Sequence, residues 1–180
     1  MNIKVQMYPH PESVKGTSGI DQVALAYGRY LPQFGVEIAH PEDDTHDLVA
    51  GHVGQGATLD YPFVCHVHGL HWSADYPCDV WQYGVNKRVI DSIRMASAVT
   101  VPSAWVAETF QRDMRFTPHV IHHGIDVDDW AHDDSRGDYV LWNKNRGHDV
   151  CDAGPVVALA DAFPKQHFVS TFLIHLNNYW

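Results

Sequence analysis

Residues 63–71 carry three histidines at the end of an apolar run and offer the clearest candidates for chemistry. Alternation along an extended strand would place Val64, His66 and His68 on one face, with His68 at the strand end. An imidazole at a strand end can hydrogen-bond a sugar hydroxyl or a phosphate, or transfer a proton. For His66 the simplest expectation is a buried ring hydrogen-bonded to backbone. His68 precedes the turn-forming Gly69 and suits a functional role and a structural role equally well.

A second histidine segment, His122-His123-Gly124, is typical of a strand followed by a turn and alone indicates nothing more. Three histidines within six residues, at positions 66, 68 and 71, also raise the question of a metal site. No carboxylate or cysteine is spaced to complete a first coordination shell, so no metal site is predicted.

The loop Gly16-Thr17-Ser18-Gly19 stands directly before a helical pattern. Glycines allow backbone to approach a ligand closely, and free N–H groups at a helix start attract anions. The alternative is a flexible turn with an ordinary helix cap, which short glycine loops often form. A Walker phosphate loop is excluded because no Gly-Lys-Ser/Thr follows.

Two cations lie in the segment Asn143-Lys144-Asn145-Arg146, which follows a predicted strand over residues 139–142. Cations at a strand end in an acidic protein suggest an anion site. A solvated loop is the alternative.

The elements that must position these residues alternate between strand and helix along the chain. Ser18 and Asp21 are three residues apart and suit a capping box at the start of a helix that Gly35 would end. Ser103 is the expected cap of a later helix. Strands are predicted over 3–7, 36–39, 47–50, 62–68, 98–101, 119–122, 139–142 and 167–173, and helices over 20–34, 85–96, 103–114 and 155–163. This order predicts an α/β fold with a mostly parallel sheet covered by helices on both faces.

An acidic segment separates two predicted domains. The expected boundaries are a first domain over residues 1–126, a linker over 127–137 and an incomplete second domain over 138–180. Since the last piece is a single strand–helix–strand fragment, it is too small to be stable alone and would need the first domain, a partner or further sequence.

Composition narrows the possible partners and compartment. The 180 residues carry a formal net charge of −10, which argues against general nucleic-acid binding. The three cysteines show no CxxC pair, so neither a disulfide framework nor a cysteine-rich zinc site is indicated, and a reducing cytoplasm is expected. The polar segment at residues 1–6 does not predict a signal peptide, and no apolar run predicts a membrane-spanning helix.

Together these segments resemble glycosyltransferases of the GT-B fold, specifically the family 4 type. That family has a glycine-rich loop after its first strand, a His-Gly-Leu-like motif at a strand end, a Val-x-Ser segment opening a helix, and a Pro-Asn-Gly-Ile/Val-Asp motif at the domain junction. The matching segments are Gly16-Thr17-Ser18-Gly19, His68-Gly69-Leu70, Val101-Pro102-Ser103 and His122-His123-Gly124-Ile125-Asp126. The last keeps Gly-Ile-Asp but replaces Pro-Asn.

The resemblance implies a Rossmann-like amino-terminal domain that mainly holds an acceptor, and a carboxyl-terminal domain that holds a nucleotide-sugar. It implies transfer of the sugar, usually with retention of anomeric configuration and without a metal or other cofactor. His68 would contact the transferred sugar as the catalytic candidate. The remaining donor- or acceptor-binding candidates are Gly16, Thr17, Ser18, Gly19, Gly69, His123, Gly124, Lys144 and Arg146. Lys144 and Arg146 would neutralise the leaving diphosphate.

The family's paired-glutamate motif and base pocket would lie beyond Trp180, so the resemblance implies a truncated glycosyltransferase. The alternative is a non-catalytic binding or assembly module derived from such an enzyme, acting as a homo-oligomer or with a complementing chain. A third hypothesis, glycosylation of modified DNA bases, is disfavoured by the acidic charge.

Overall fold

The computed structural model describes residues 2–16, 18–75, 77–128, 137–144 and 152–171. The chain divides into two compact units, the first ending at Ile125 and the second beginning at Asp126. Among the residues described, no helix combines the length and the apolar character needed to cross a bilayer.

A parallel six-stranded sheet forms the centre of the first unit. Its strands are β1 (Ile3–Tyr8), β2 (Val36–Ile38), β3 (Leu48–His52), β4 (Phe63–His66), β5 (Ala98–Val101) and β6 (His119–Val120). They are arranged in the order β2-β1-β3-β4-β5-β6, and every neighbouring pair is parallel. The helices are α1 (Gly19–Tyr30), α2 (Val80–Met95) and α3 (Ala104–Met114). The predicted α/β class with a mostly parallel sheet is confirmed.

Helices cover the two faces of this sheet. On one face Val49, Phe63 and Cys65 pack with residues of α2 and α3, including Val89 and Phe110. On the other face, neighbouring strand residues pack against α1 and the short 3-10 turn Leu31–Phe34 that continues it; these are Val5, Met7, Ala50 and Val64, with Tyr27 and Leu31 from the helical side. Period-two alternation explains this division, since adjacent strand residues point to opposite faces.

Strand order reverses between β1 and β3. From β1 the chain passes through α1 to β2 on one side, whereas β3 to β6 follow one another on the other side. In open parallel sheets, ligands bind beyond the carboxyl ends of the strands at such a switch point. The fold therefore directs attention to the loops after β1, β3 and β4.

The loop after β1 leads into α1, and a local capping box begins this helix. The Asp21 N–H donates to the Ser18 hydroxyl oxygen (3.1 Å), and the Ser18 N–H donates to an Asp21 carboxylate oxygen (3.4 Å). Gly35 lies in the left-handed region (φ 75°) and ends the 3-10 turn that follows the helix. The capping box and the terminating glycine both agree with the prediction.

Helix α2 begins at Val80, five residues before the first position of the predicted helix. The Asp79 N–H donates to the Gln82 side-chain oxygen (2.6 Å), which stabilises the first turn of a helix whose start carries exposed apolar residues. Apolar periodicity alone did not identify this turn because Val80 and Trp81 face solvent.

The second unit contains β7 (Val140–Trp142), α4 (Gly154–Ala162) and β8 (Phe168–Ser170), with β7 and β8 parallel. This is the predicted strand–helix–strand order. The Thr171 hydroxyl donates to the Lys144 carbonyl oxygen (2.9 Å) and so ties the segment after β7 to the end of β8.

Candidate active site

Two histidines lie side by side where β3 and β4 end. His52 is the last residue of β3 and His66 the last of β4, and they are register partners. They follow Ala50 and Val64 by two residues and therefore share the face that α1 covers. Their rings are stacked, with centroids 5.0 Å apart and planes at 29°. Polar rings thus continue a face that begins as apolar core.

His66 is held by the next strand along the sheet. Its register partner on β5 is Thr100, and the Thr100 hydroxyl hydrogen-bonds Nδ1 of His66. The simplest sequence expectation, a bond from His66 to backbone, is therefore wrong. The reason is that parallel register places a hydroxyl beside the ring on the same face.

His68 lies two residues beyond β4 and extends the same alternation. Its Nε2 is 2.9 Å from Nδ1 of His52, and the two rings are nearly parallel, with planes at 24°. Gly69 follows with φ at 123°, a conformation that residues with a side chain rarely adopt. The prediction that His66 and His68 share a face agrees with the structure, and the glycine allows the chain to turn directly after His68.

Tyr27 covers this cluster from α1. Its ring centroid lies 5.8 Å from that of His52 and 5.7 Å from that of His66. Burial raises the pKa of the Tyr27 hydroxyl, so the group remains neutral. Helix α1 thus connects the glycine loop, at which it begins, to the histidines.

His123 completes the cluster from the segment after β6. Its ring centroid is 5.3 Å from that of His68, and the rings are tilted by 56°. Beside them is a small void of about 10 Å³, lined by Tyr27, His66, Val67, His68, Thr100, Val101, Pro102, Ile121 and His123. A space of this size holds about one water molecule or one ligand hydroxyl. His66, His68 and His123 therefore border a small subsite that polar and apolar side chains line together.

The rings of His52, His66 and His68 are kept uncharged by their surroundings. Burial, followed by repulsion from His66, lowers the pKa of His52 to about 3, and burial likewise lowers that of His66 to about 4. Burial and then His123 also lower the pKa of His68. A neutral imidazole offers one donor and one acceptor. The cluster is therefore suited to hydrogen-bonding neutral hydroxyl groups and is unsuited to binding an anion by charge.

The glycine loop before α1 contains Gly16 with φ at 70°. Its carbonyl oxygen accepts a hydrogen bond from Nε2 of Gln22 (2.6 Å), and an added Cβ would lie 3.3 Å from Cδ1 of Leu25. Ser18 caps the helix and Gly19 is its first residue, whereas the predicted site residue Thr17 lies outside the described residues. The structure thus gives this loop a structural task as a helix start, and its ligand role stays a prediction.

The remaining predicted residues are more exposed. A Cβ on Gly124 would meet no atom within 4 Å, so nothing described in the structure explains a glycine there. Lys144 belongs to the second unit, where its side chain is exposed, and Arg146 lies outside the described residues. Within the described part of the chain, no group of three histidine, cysteine or carboxylate side chains is arranged to hold a metal ion.

Sequence reasoning missed His52, Tyr27 and Thr100. The predicted third strand ended at residue 50, whereas β3 continues to His52, which is fully buried. Tyr27 had only the signature of an apolar helix position. The signal that could have identified His52 is its position as a polar residue at the end of the apolar run Leu48–His52. The predicted strand ended two residues before it.

Comparison with known proteins identifies a family that covers these features. The family model described as Glycosyltransferase Family 4 matches residues 10–129, two thirds of the 180-residue chain. The matched segment includes the loop before α1 and all four histidines of the cluster. No curated protein matches the chain significantly. The chain therefore belongs to glycosyltransferase family 4.

Proposed function

We propose that this chain takes part in transferring a sugar from a nucleotide-sugar donor to an acceptor, with retention of anomeric configuration. The observation that carries the proposal is the histidine cluster at the carboxyl ends of β3 and β4, in which His52, His66 and His68 are neutral and which lies inside the segment matched by the family model. Sugars present hydroxyls that both donate and accept, and neutral imidazoles do the same.

In this proposal His68 hydrogen-bonds the transferred sugar. It follows the last residue of β4 by two positions, is only half-buried, and is braced from behind by the fully buried His52. An accessible ring with a rigid support suits a binding residue. The conformational entropy of the His68 side chain is already lost on folding, so ligand binding does not have to offset that loss again. His123 and Gly69 would flank the same sugar.

The charge needed for a leaving diphosphate would come from elsewhere in the chain. We assign it to Lys144 and Arg146, with backbone of the loop over residues 16–19 as a second candidate contact. Fixed cations that stabilise the developing negative charge would perform this task without a metal or other cofactor. The acceptor would be a sugar, a lipid or another small molecule.

Binding measurements on the full chain test the proposal. UDP-glucose, GDP-mannose and ADP-glucose would be titrated by calorimetry, with saturation-transfer NMR to identify the sugar protons in contact. The variant His68→Ala should weaken the probe that binds by about tenfold, the equivalent of one lost hydrogen bond. The matched control is His40→Ala, at an exposed position after the edge strand β2, and it should change nothing.

Two results would count against the proposal. One is that no nucleotide-sugar binds the chain at millimolar concentration. The other is that His68→Ala and His40→Ala bind the probe equally well. Where transfer is detected, NMR of the product should show the anomeric configuration of the donor, since inversion would contradict the proposed stereochemistry.

A further inference from the structure

Among the residues that the structure describes, the buried His52 makes one hydrogen bond, which is with His68. His52 is 0% exposed, and the rings of Tyr27, His66 and His68 surround its imidazole. Nδ1 lies 2.9 Å from Nε2 of His68, while Nε2 of His52 is buried with no hydrogen-bond partner among the described residues. This asymmetry between the two ring nitrogens allows the direction of the shared hydrogen bond to be assigned.

Two arrangements would satisfy the contact between two neutral rings. In the first, His52 Nδ1–H donates to Nε2 of His68, which leaves a bare lone pair on Nε2 of His52. In the second, His68 Nε2–H donates to Nδ1 of His52, which leaves an N–H on the buried Nε2. In proteins a buried N–H group without a partner is rarer than a buried acceptor without one, a rule established for backbone groups that we apply here to the ring nitrogens. The first arrangement is therefore favoured.

A charged His52 would remove this distinction because both of its nitrogens would carry protons. Burial lowers the pKa of His52 to about 3, so the ring is neutral near pH 7 and carries a single N–H. In the first arrangement, this single N–H lies on Nδ1 of His52 and forms the contact with Nε2 of His68.

We infer that His52 is a positioning residue that fixes His68 as its Nδ1–H tautomer, so that His68 acts toward the sugar as a hydrogen-bond donor. The role toward the sugar rests on the proposed function, whereas the tautomer does not. With Nε2 of His68 occupied as an acceptor, its proton lies on Nδ1, for which the described residues offer no hydrogen-bond partner. That N–H is thus available to a hydroxyl or ring oxygen of a ligand.

Nitrogen NMR on the full chain tests the tautomer directly. The chain would be labelled with ¹⁵N-histidine and its ring signals recorded at pH 7.5 through two-bond couplings, with His68 assigned from the signals lost in His68→Gln. The expected result is an Nδ1–H pattern for His68. An Nε2–H pattern in the unsubstituted chain would overturn the inference without the need for any variant.

A pair of substitutions separates positioning from packing. His52→Leu removes the donor and should shift His68 toward the Nε2–H tautomer. His52→Asn keeps an N–H group near the position of Nδ1 and should restore the Nδ1–H pattern. Equal His68 patterns in both variants would contradict the inference. Amide fingerprint spectra verify folding, and if His52→Leu fails to fold, the unsubstituted chain and His52→Asn still decide the outcome.

Binding of UDP-glucose, GDP-mannose or ADP-glucose tests the role toward the sugar. His52→Leu should weaken the probe that binds by about fivefold, and His52→Asn should recover most of that loss. Unchanged affinity in His52→Leu would overturn the positioning role. If none of the three probes binds the unsubstituted chain, the proposed function fails, while the NMR patterns still decide the tautomer.

Discussion

The two faces of the six-stranded sheet receive side chains from the same strands but differ in what those side chains are. Strand β4 illustrates this difference: Phe63 and Cys65 are 0% exposed against α2 and α3, while Val64 and His66 on the opposite face are only half-buried beneath α1. On the α2/α3 face, apolar burial continues past the strand end to Val67. On the α1 face, the polar residues His52, His66 and Thr100 replace apolar side chains toward the carboxyl ends of the strands.

This difference shows where the fold gains stability and where it gives some of it up. Apolar side chains fill the α2/α3 face, and even its thiol follows that environment, since burial raises the pKa of Cys65 to about 11. Each polar ring on the α1 face replaces an apolar contact and needs a hydrogen-bond partner to be tolerated. Under the proposed function, the task of this polar layer is to hydrogen-bond a sugar.

The largest effect is expected where the apolar face is densest. Phe110 is 0% exposed and contacts Trp72 and Phe116 edge to face. Phe110→Ala should lower the free energy of unfolding by about 3–5 kcal/mol, measured by urea denaturation. The control Phe34→Ala, at a residue 79% exposed, should cost less than about 0.5 kcal/mol. Similar losses in both variants would mean that the α2/α3 face is not the main source of stability.

Acid should destabilise the histidine face selectively. The pKa of His52 is about 3 in the folded chain and 6.5 for the free side chain, so protonation favours unfolding. Its contribution is complete above pH 6.5 and is lost as the pH falls toward 3, which amounts to about 2 kcal/mol by pH 5. His66, with a pKa lowered to about 4, acts in the same direction.

Urea denaturation at pH 7 and pH 5 measures this loss. His52→Asn should reduce the pH dependence by about 2 kcal/mol, because it removes one titrating ring. Phe110→Ala is the matched control, since it lowers stability at both pH values and should leave the dependence unchanged. An unaltered dependence in His52→Asn would show that His52 is not buried as a neutral ring.

Local features of the sequence predicted local structure better than they predicted contacts between strands. The capping box at Ser18, the cap at Ser103 and the alternation of His66 with His68 all depend on residues within a few positions of each other, and all three are present. The contacts of His52 with His68 and of His66 with Thr100 join different strands or loops. Their register is set by the assembled sheet, which no single segment encodes.

The hydroxyl that holds His66 should matter more than an equally buried one elsewhere. Thr100→Val leaves Nδ1 of His66 without its partner and should cost about 1–2 kcal/mol. The control Thr109→Val removes a hydroxyl that donates to the Val106 carbonyl oxygen (2.7 Å). That oxygen still accepts a backbone hydrogen bond within the helix, so it is not left without a partner. This control should cost less than about 0.5 kcal/mol, and equal losses would contradict the special role of the His66 contact.

The smallest effect compares the caps of two helices that cover opposite faces. Ser18 is the N-cap of α1 and Ser103 the N-cap of α3. The hydroxyl oxygen of each accepts a hydrogen bond from the N–H of the third residue of its helix (3.1 Å and 3.3 Å). Ser18→Ala and Ser103→Ala should each lower the free energy of unfolding by about 1 kcal/mol, as measured by urea denaturation.

Ligand binding separates the two caps although their stability costs are equal. Helix α1 carries Tyr27 over the histidine rings, and its first turn adjoins the loop after β1, so Ser18→Ala should also weaken nucleotide-sugar binding by about threefold. Ser103→Ala should leave that affinity unchanged, because α3 packs on the apolar face. Equal affinities in the two variants would show that the order of α1 does not reach the sugar subsite, and the task of the α1 face would then depend on the histidines alone.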